Sequence, residues 1–395
     1  MKFVLLEPLR GIAAIWVLLF HFQFSDAFQR TFPQLHSVCK LGEMAVPMFF
    51  VISGYCIAAS ARSAIRKGES AGSFLHRRMR RIFPPYWASI AVVVALPFVI
   101  EGIAALKTGH YQSPSPHKLN YGFLKYDIAE WFEVVTLTRA FVTVPGADQL
   151  QLKFTTINAV YWSLAIEVQF YLIAALAVHF GRRFYQVMAS ITLIAVPFLF
   201  CPVAKFWGIC LPYWPMFALG IGLYGVFERG WAPSKFWGES SRRVGWLALS
   251  GLVIATSIIA VAQWPIHRTT FAVLFAVALF GLEGLDASFR RLLAHGATPV
   301  RRLAEFSVFL GTMSYSIYLV HGRVQFLAMQ GVRQVFAEGT MAFDALSLIL
   351  TIALCYPFFR FCERPWISAP ATSTLPVERP TSDPRAVLSD ARVSG

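Results

Sequence analysis

The first apolar run, LLEPLRGIAAIWVLLFHF, sets the terms for the whole chain, because it has the length and hydropathy to cross a bilayer yet carries an arginine and a histidine. Arg10 and His21 stand eleven positions apart. On a helix that is about three turns, which puts both on one face roughly 16 Å apart along the axis. An ionisable group inside a span costs on the order of 3 kcal/mol, so it faces a bundle interior or a wet cavity more often than lipid. The plain alternative is snorkelling, with each side chain reaching its nearer headgroup layer.

The chain continues in the same vein. Of its 395 residues 56% are hydrophobic and 15% aromatic, too apolar for a soluble domain of this size. Runs of near-spanning length fall at about 4–24, 44–61, 82–103, 157–180, 184–203, 206–227, 244–263, 268–285, 304–327 and 341–362. An all-α polytopic membrane protein of about ten transmembrane helices is therefore expected, with bends at Pro47, Pro84, Pro85, Pro97 and Pro197. Ten spans put both termini on one side. Twenty-three of the 35 Lys and Arg belong to segments on that side and eleven to the other, which makes the termini cytoplasmic. The net charge of +14 thus records orientation and anionic lipid rather than nucleic acid.

A transmembrane domain over 1–367 and a disordered cytoplasmic tail over 368–395, rich in Pro, Ser, Thr, Asp and Arg, follow from the composition. The long outer connection, about 104–156, contains an amphipathic piece in which Trp131, Phe132 and Phe141 can lie on the membrane surface. The six cysteines show no CxxC or Cys/His spacing and read as small buried residues, with an outer disulfide through Cys39 as a minor alternative. No metal site and no permanently bound cofactor are expected.

Several stretches carry residues capable of chemistry. FLHRRMRRIFPPYW sets four arginines in five positions at the inner mouth of the third span. Guanidinium forks grip phosphate bidentately, and Arg78 and Arg81, one turn apart, share a face that suits an anionic cytosolic ligand. An orientation signal is the bland reading of the same cluster. In MFFVISGYCI, Ser53 and Gly54 suit close helix packing better than a nucleophile, since no GxSxG is present. In YWSLAIEVQFYL, Glu167 lies at membrane depth, where it can orient and stabilise His21 as a general base or form a structural pair with it; Trp162 and Tyr171 read as packing aromatics. FLGTMSYSIYLVHG places Tyr315 in the ninth span and His321 near the outer surface, at a depth like that of His21. Glu363 and Arg364, in FRFCERPWI, read as a local structural pair.

In this order the motifs LRGIAAIWVLLFHF, FFVISGY, RRMRRIFPPYW, YWSLAIEVQFYL, LGTMSYSIYLVH and CERPW resemble the membrane-bound acyltransferase-3 family from Leu6 to about Pro365. The family acts on O-antigen, exopolysaccharide, Nod-factor and macrolide hydroxyls. The resemblance implies a bacterial cytoplasmic-membrane enzyme that moves an acyl group, usually acetyl, from cytosolic acyl-CoA to a carbohydrate or glycolipid hydroxyl. It carries catalytic roles to His21 and Glu167 and cofactor-binding roles to Arg78, Arg81 and Arg10. Ser53, Trp162, Tyr315 and His321 are left as acceptor-contacting or supporting residues. Members commonly have Asp-Gly before the Leu-Arg step, where this chain has Glu7-Pro8. The competing class is a glycan exporter using Arg10, His21 and Glu167 as a proton relay.

Overall fold

The structure is a computed structural model that describes residues 3–110, 122–144, 149–201, 207–264 and 266–367. The expected disordered tail and the middle of the long outer connection lie outside the described residues. Within them every regular element is a helix. In chain order these are α1 (Leu6–His21), α2 (Asp26–Thr31), α3 (Pro33–Lys40), α4 (Ala45–Arg66), α5 (Ala71–Thr108), α6 (Ile128–Thr136), α7 (Tyr161–His179) and α8 (Phe184–Ala195). There follow α9 (Trp214–Glu228), α10 (Pro233–Trp237), α11 (Ser241–Val261), α12 (Arg268–His295), α13 (Thr298–Thr312), α14 (Ser314–Val332) and α15 (Met341–Phe358).

Among the described residues seven stretches are long and apolar enough to cross a membrane, or eight if the bent pair α13–α14 counts as one span. The difference from the ten runs expected has identifiable sources. Helix α1 has only sixteen residues. Leu211–Val261 merges two of the expected spans into one apolar stretch, and the expected span 304–327 is broken by a 72° bend. Proline acts unevenly. Pro47 sits in the first turn of α4, where its missing N–H costs nothing, and α5 runs through Pro84, Pro85 and Pro97 as one helix. At Pro197 the chain leaves α8 for a 3-10 turn.

Tight crossings set the frame. Gly54 of α4 and Gly220 of α9 lie against each other's helices, so that a Cβ on Gly54 would meet Phe217 O at 2.2 Å and one on Gly220 would meet Val51 O at 2.0 Å. In the same way Gly311 of α13 rests on Glu7 O of α1, with room for hydrogen only. Small residues buy this close approach in the absence of a hydrophobic drive between helices. Helix α1 packs among α4, α13 and α14, and α5 and α7 close the other side.

Buried carboxylates fasten helix N-termini to distant helices. Asp286 accepts from Val4 N at 2.7 Å and Leu5 N at 3.0 Å, and Asp344 accepts from Ser25 N at 3.0 Å. Glu283 accepts from Ser234 N at 2.9 Å, and Glu363 from Ser316 N at 3.0 Å and from the Ser316 hydroxyl. Each bond satisfies a donor that the first turn of a helix cannot pair internally and places an anion at the positive end of its dipole. Glu363 therefore does not serve the local pair expected with Arg364: it holds the start of α14, at the 72° bend.

Outside the spans, α6 opens with a capping box between Asp127 and Glu130. Its Ile128, Phe132 and the nearby Phe141 are exposed, in keeping with the surface-lying piece read from the sequence. Beneath it Arg139 is buried and pairs with Glu133 at 3.0 Å and Glu130 at 3.3 Å. Lys153 Nζ donates to Ala140 O at 2.8 Å, and burial pulls its ammonium below the ordinary lysine value. The six cysteines are all free thiols, so no disulfide runs through Cys39.

Candidate active site

A cavity of about 160 Å³ opens between α1, α4, α5, α7 and α14. It gathers Arg10, Arg78, Arg81, Ser53, Glu167 and Tyr315 at its wall, six of the side chains singled out from sequence. Helix periodicity explains the arginines: Arg78 and Arg81 are one turn apart on α5 and face the same space. Arg10 of α1 reaches it from across the bundle and sits 3.7 Å from Glu7. Arg78 lies over the Tyr171 ring at 6.0 Å and the Phe74 ring at 5.7 Å. Among the described residues neither Arg78 nor Arg81 forms a salt bridge with a carboxylate. The chamber thus holds two guanidiniums whose charge is uncommitted.

Glu167 accepts hydrogen bonds from Ser53 Oγ at 2.8 Å and Tyr171 OH at 2.7 Å. The sequence placed Glu167 beside His21, and the structure corrects that geometry. His21 is absent from the chamber wall and lines two further cavities, of about 450 and 260 Å³. Its Nδ1 donates to Val17 O at 2.9 Å and lies 3.3 Å from Nε2 of His321. Glu167 shares the chamber of Arg10, which α1 separates from His21 by about three turns, so the expected match in depth with His21 does not hold. Glu167 and His21 face different compartments.

The two compartments share a wall. Val46 and Tyr318 line both the arginine chamber and the smaller of the two His21 cavities. Tyr318 is held by Ser163 Oγ at 2.6 Å and donates to Val160 O at 3.1 Å. In the smaller His21 cavity Trp162 joins His21 at the wall, with Arg268 over the Trp162 ring at 5.8 Å and Arg268 paired to Glu43 at 3.0 Å. The larger of the two sets His21 among Gln23, Asn158, Gln325 and Gln330. His321 is buried behind His21. Tyr315 OH donates to Ile82 O at 3.0 Å and ties α14 to the arginine helix.

Sequence reading passed over Tyr318 and the Glu43–Arg268 pair and gave Tyr171 a packing role alone. A signal existed for two of them. Tyr171 follows Glu167 by one turn, and Tyr318 lies midway between Tyr315 and His321 in SYSIYLVH, each one turn away. Glu43 and Arg268 come from helices far apart in sequence, and nothing local links them.

Helices of spanning length that enclose charged and hydrogen-bonding side chains define a multi-pass membrane protein with a polar interior. The chain belongs to the acyltransferase-3 family, whose model, described as an acyltransferase domain, matches residues 5–360. It is similar to the peptidoglycan O-acetyltransferase OatA of Listeria monocytogenes serovar 1/2a, with 32% identity over 171 residues, 42% of this chain and 23% of that protein. It is also similar to nodulation protein 10 of Rhizobium leguminosarum bv. viciae, with 25% identity over 287 residues, 70% of each chain. The match thus spans less than a quarter of the Listeria protein's length and 70% of the Rhizobium protein's. No solved structure matches the chain.

Proposed function

We propose that this protein transfers an acyl group, acetyl in the first instance, from cytosolic acyl-CoA to a hydroxyl of a carbohydrate or glycolipid at the opposite face of a bacterial cytoplasmic membrane. The observation that carries the reading is the chamber in which Arg10, Arg78 and Arg81 converge while two of them lack a carboxylate partner. Bidentate guanidiniums suit the phosphates of CoA, and the stacking of Arg78 on Tyr171 orients the fork. Family membership supplies acyl transfer, and a relative named as an O-acetyltransferase supports oxygen as the acceptor atom. The two-sided layout agrees with a donor and an acceptor that approach from opposite faces.

On this reading Arg78 and Arg81 hold the phosphates at the inner mouth, Arg10 steadies the donor deeper in, and the thioester comes up to the wall made by Tyr318. His21 Nε2, which takes no hydrogen bond among the described residues, faces the outer cavities. It removes the proton from the acceptor hydroxyl as that oxygen attacks the thioester carbonyl; the C–S bond breaks and the CoA thiolate leaves. In the alternative sequence of events Nε2 itself takes the acyl group and hands it to the hydroxyl. Glu167 balances the arginine cluster and serves neither version directly.

The test is turnover of labelled acetyl-CoA by the purified full chain in proteoliposomes. Turnover should be abolished in His21→Ala and should require higher acetyl-CoA in Arg78→Ala. Trapping of acetyl-histidine without acceptor would select the carrier version. A His21→Ala protein with wild-type turnover would overturn both.

A further inference from the structure

We infer that His321 is the positioning residue of His21, taking the place at the back of the imidazole that a carboxylate usually holds. The inference rests on the proposed role of His21 but not on the choice between base and carrier.

Backbone carbonyls fix the tautomers. His321 Nδ1 lies 3.0 Å from Ile317 O and 3.0 Å from Tyr318 O. Carbonyl oxygens only accept, so Nδ1 of neutral His321 carries the proton and Nε2 presents a lone pair. His21 Nδ1 lies 2.9 Å from Val17 O and so carries its proton as well. That N–H has a second acceptor at 3.3 Å, the lone pair of His321 Nε2. The rings meet at 5.1 Å between centroids and 49° between planes, a tilt that suits an in-plane contact and not stacking. His21 is left as the Nδ1–H tautomer with its Nε2 lone pair free, the form that both a general base and an acyl carrier require.

The surroundings make the assignment specific. His321 is 2% exposed, while His21 is open to both of the cavities it lines, so the inner ring is locked and the outer ring is the one that meets ligand. The 72° break before α14 aims this helix, and with it His321, at the end of α1. When His21 Nε2 gains a proton or an acyl group, its Nδ1–H stays in place and its bonds to Val17 O and His321 Nε2 shorten. His321 keeps its own proton throughout, because that proton is committed to two carbonyls. No proton passes to it and its charge does not change.

Two variants test this in the purified full chain with labelled acetyl-CoA. His321→Leu removes the acceptor, and kcat is expected to fall on the order of 30-fold, a fraction of what general-base catalysis supplies. The KM for acetyl-CoA should stay within about twofold, since the donor chamber is untouched. His321→Gln offers a carbonyl oxygen to the His21 N–H and an amide to the helix carbonyls, and should restore most of kcat. Equal loss in the two variants, an effect on KM in place of kcat, or full kcat in His321→Leu would each overturn the inference. Monodisperse gel filtration and the unchanged KM exclude misfolding. A wild-type chain with no acetyl-CoA turnover removes the reading beneath and the inference together, an outcome distinct from active wild type with indifferent His321 variants.

Discussion

A guanidinium without a carboxylate keeps its charge available, and among the arginines that line the chamber Arg78 and Arg81 are left in that state while Arg10 sits beside Glu7. Arg62 and Arg66 are spent on Glu228 at 3.0 and 2.9 Å, and Arg139 on Glu130 and Glu133. Arg78→Ala or Arg81→Ala is therefore expected to raise the acetyl-CoA KM about tenfold or more, since hydrogen bonds to charged groups contribute about 1.5–3 kcal/mol. Arg78→Lys should recover only part of this, because an ammonium neither forks nor stacks on Tyr171. Glu167→Gln removes the anion from among three cations and weakens the bonds from Ser53 and Tyr171. It should destabilise the protein by about 1–3 kcal/mol, seen as a lower thermal midpoint in detergent and a larger rescue by added CoA. The arginine face was legible in the sequence because both residues belong to one helix. The partner of His21 was not, because which side chain fills the space behind it depends on how α14 meets α1.

Helix by helix, the chain declares its apolar runs but conceals how they are joined. The break at Met313 has no proline to announce it. It rests on Glu363, nearly fifty positions downstream, taking the Ser316 N–H that a continuous helix would pair internally. Glu363→Ala should thus cost about 1–3 kcal/mol by leaving a buried donor unpaired, and should loosen α14, whereas Glu363→Gln keeps an acceptor and should cost less. Melting of both variants in the same detergent decides it. The α4–α9 crossing is sharper still. With a Cβ 2.0 Å from Val51 O, Gly220→Ala forces the helices apart at a cost of about 1–3 kcal/mol or more, which the thermal midpoint reads directly. Sequence reading found Gly54 by its small neighbour Ser53 but gave no sign of Gly220, since only the packed pair shows which face must be bare.

For the whole molecule, sidedness is the property that the proposed reaction needs and that charge asymmetry alone suggests. Lys67 lies on the arginine side and Lys125 on the side of α6, and both are exposed. In a cysteine-free background, Lys125→Cys should react with an impermeant maleimide on intact cells and Lys67→Cys only after lysis; the reverse pattern would invert the orientation. The shared wall at Tyr318 then acquires a further meaning. A tunnel open from end to end and wide enough for a thioester would short-circuit the energised membrane, letting protons run down their gradient between turnovers. On the proposed reading, the two hydrogen bonds on the Tyr318 phenol keep the donor chamber and the His21 cavity apart between turnovers, which would let a two-carbon unit cross without draining the proton-motive force.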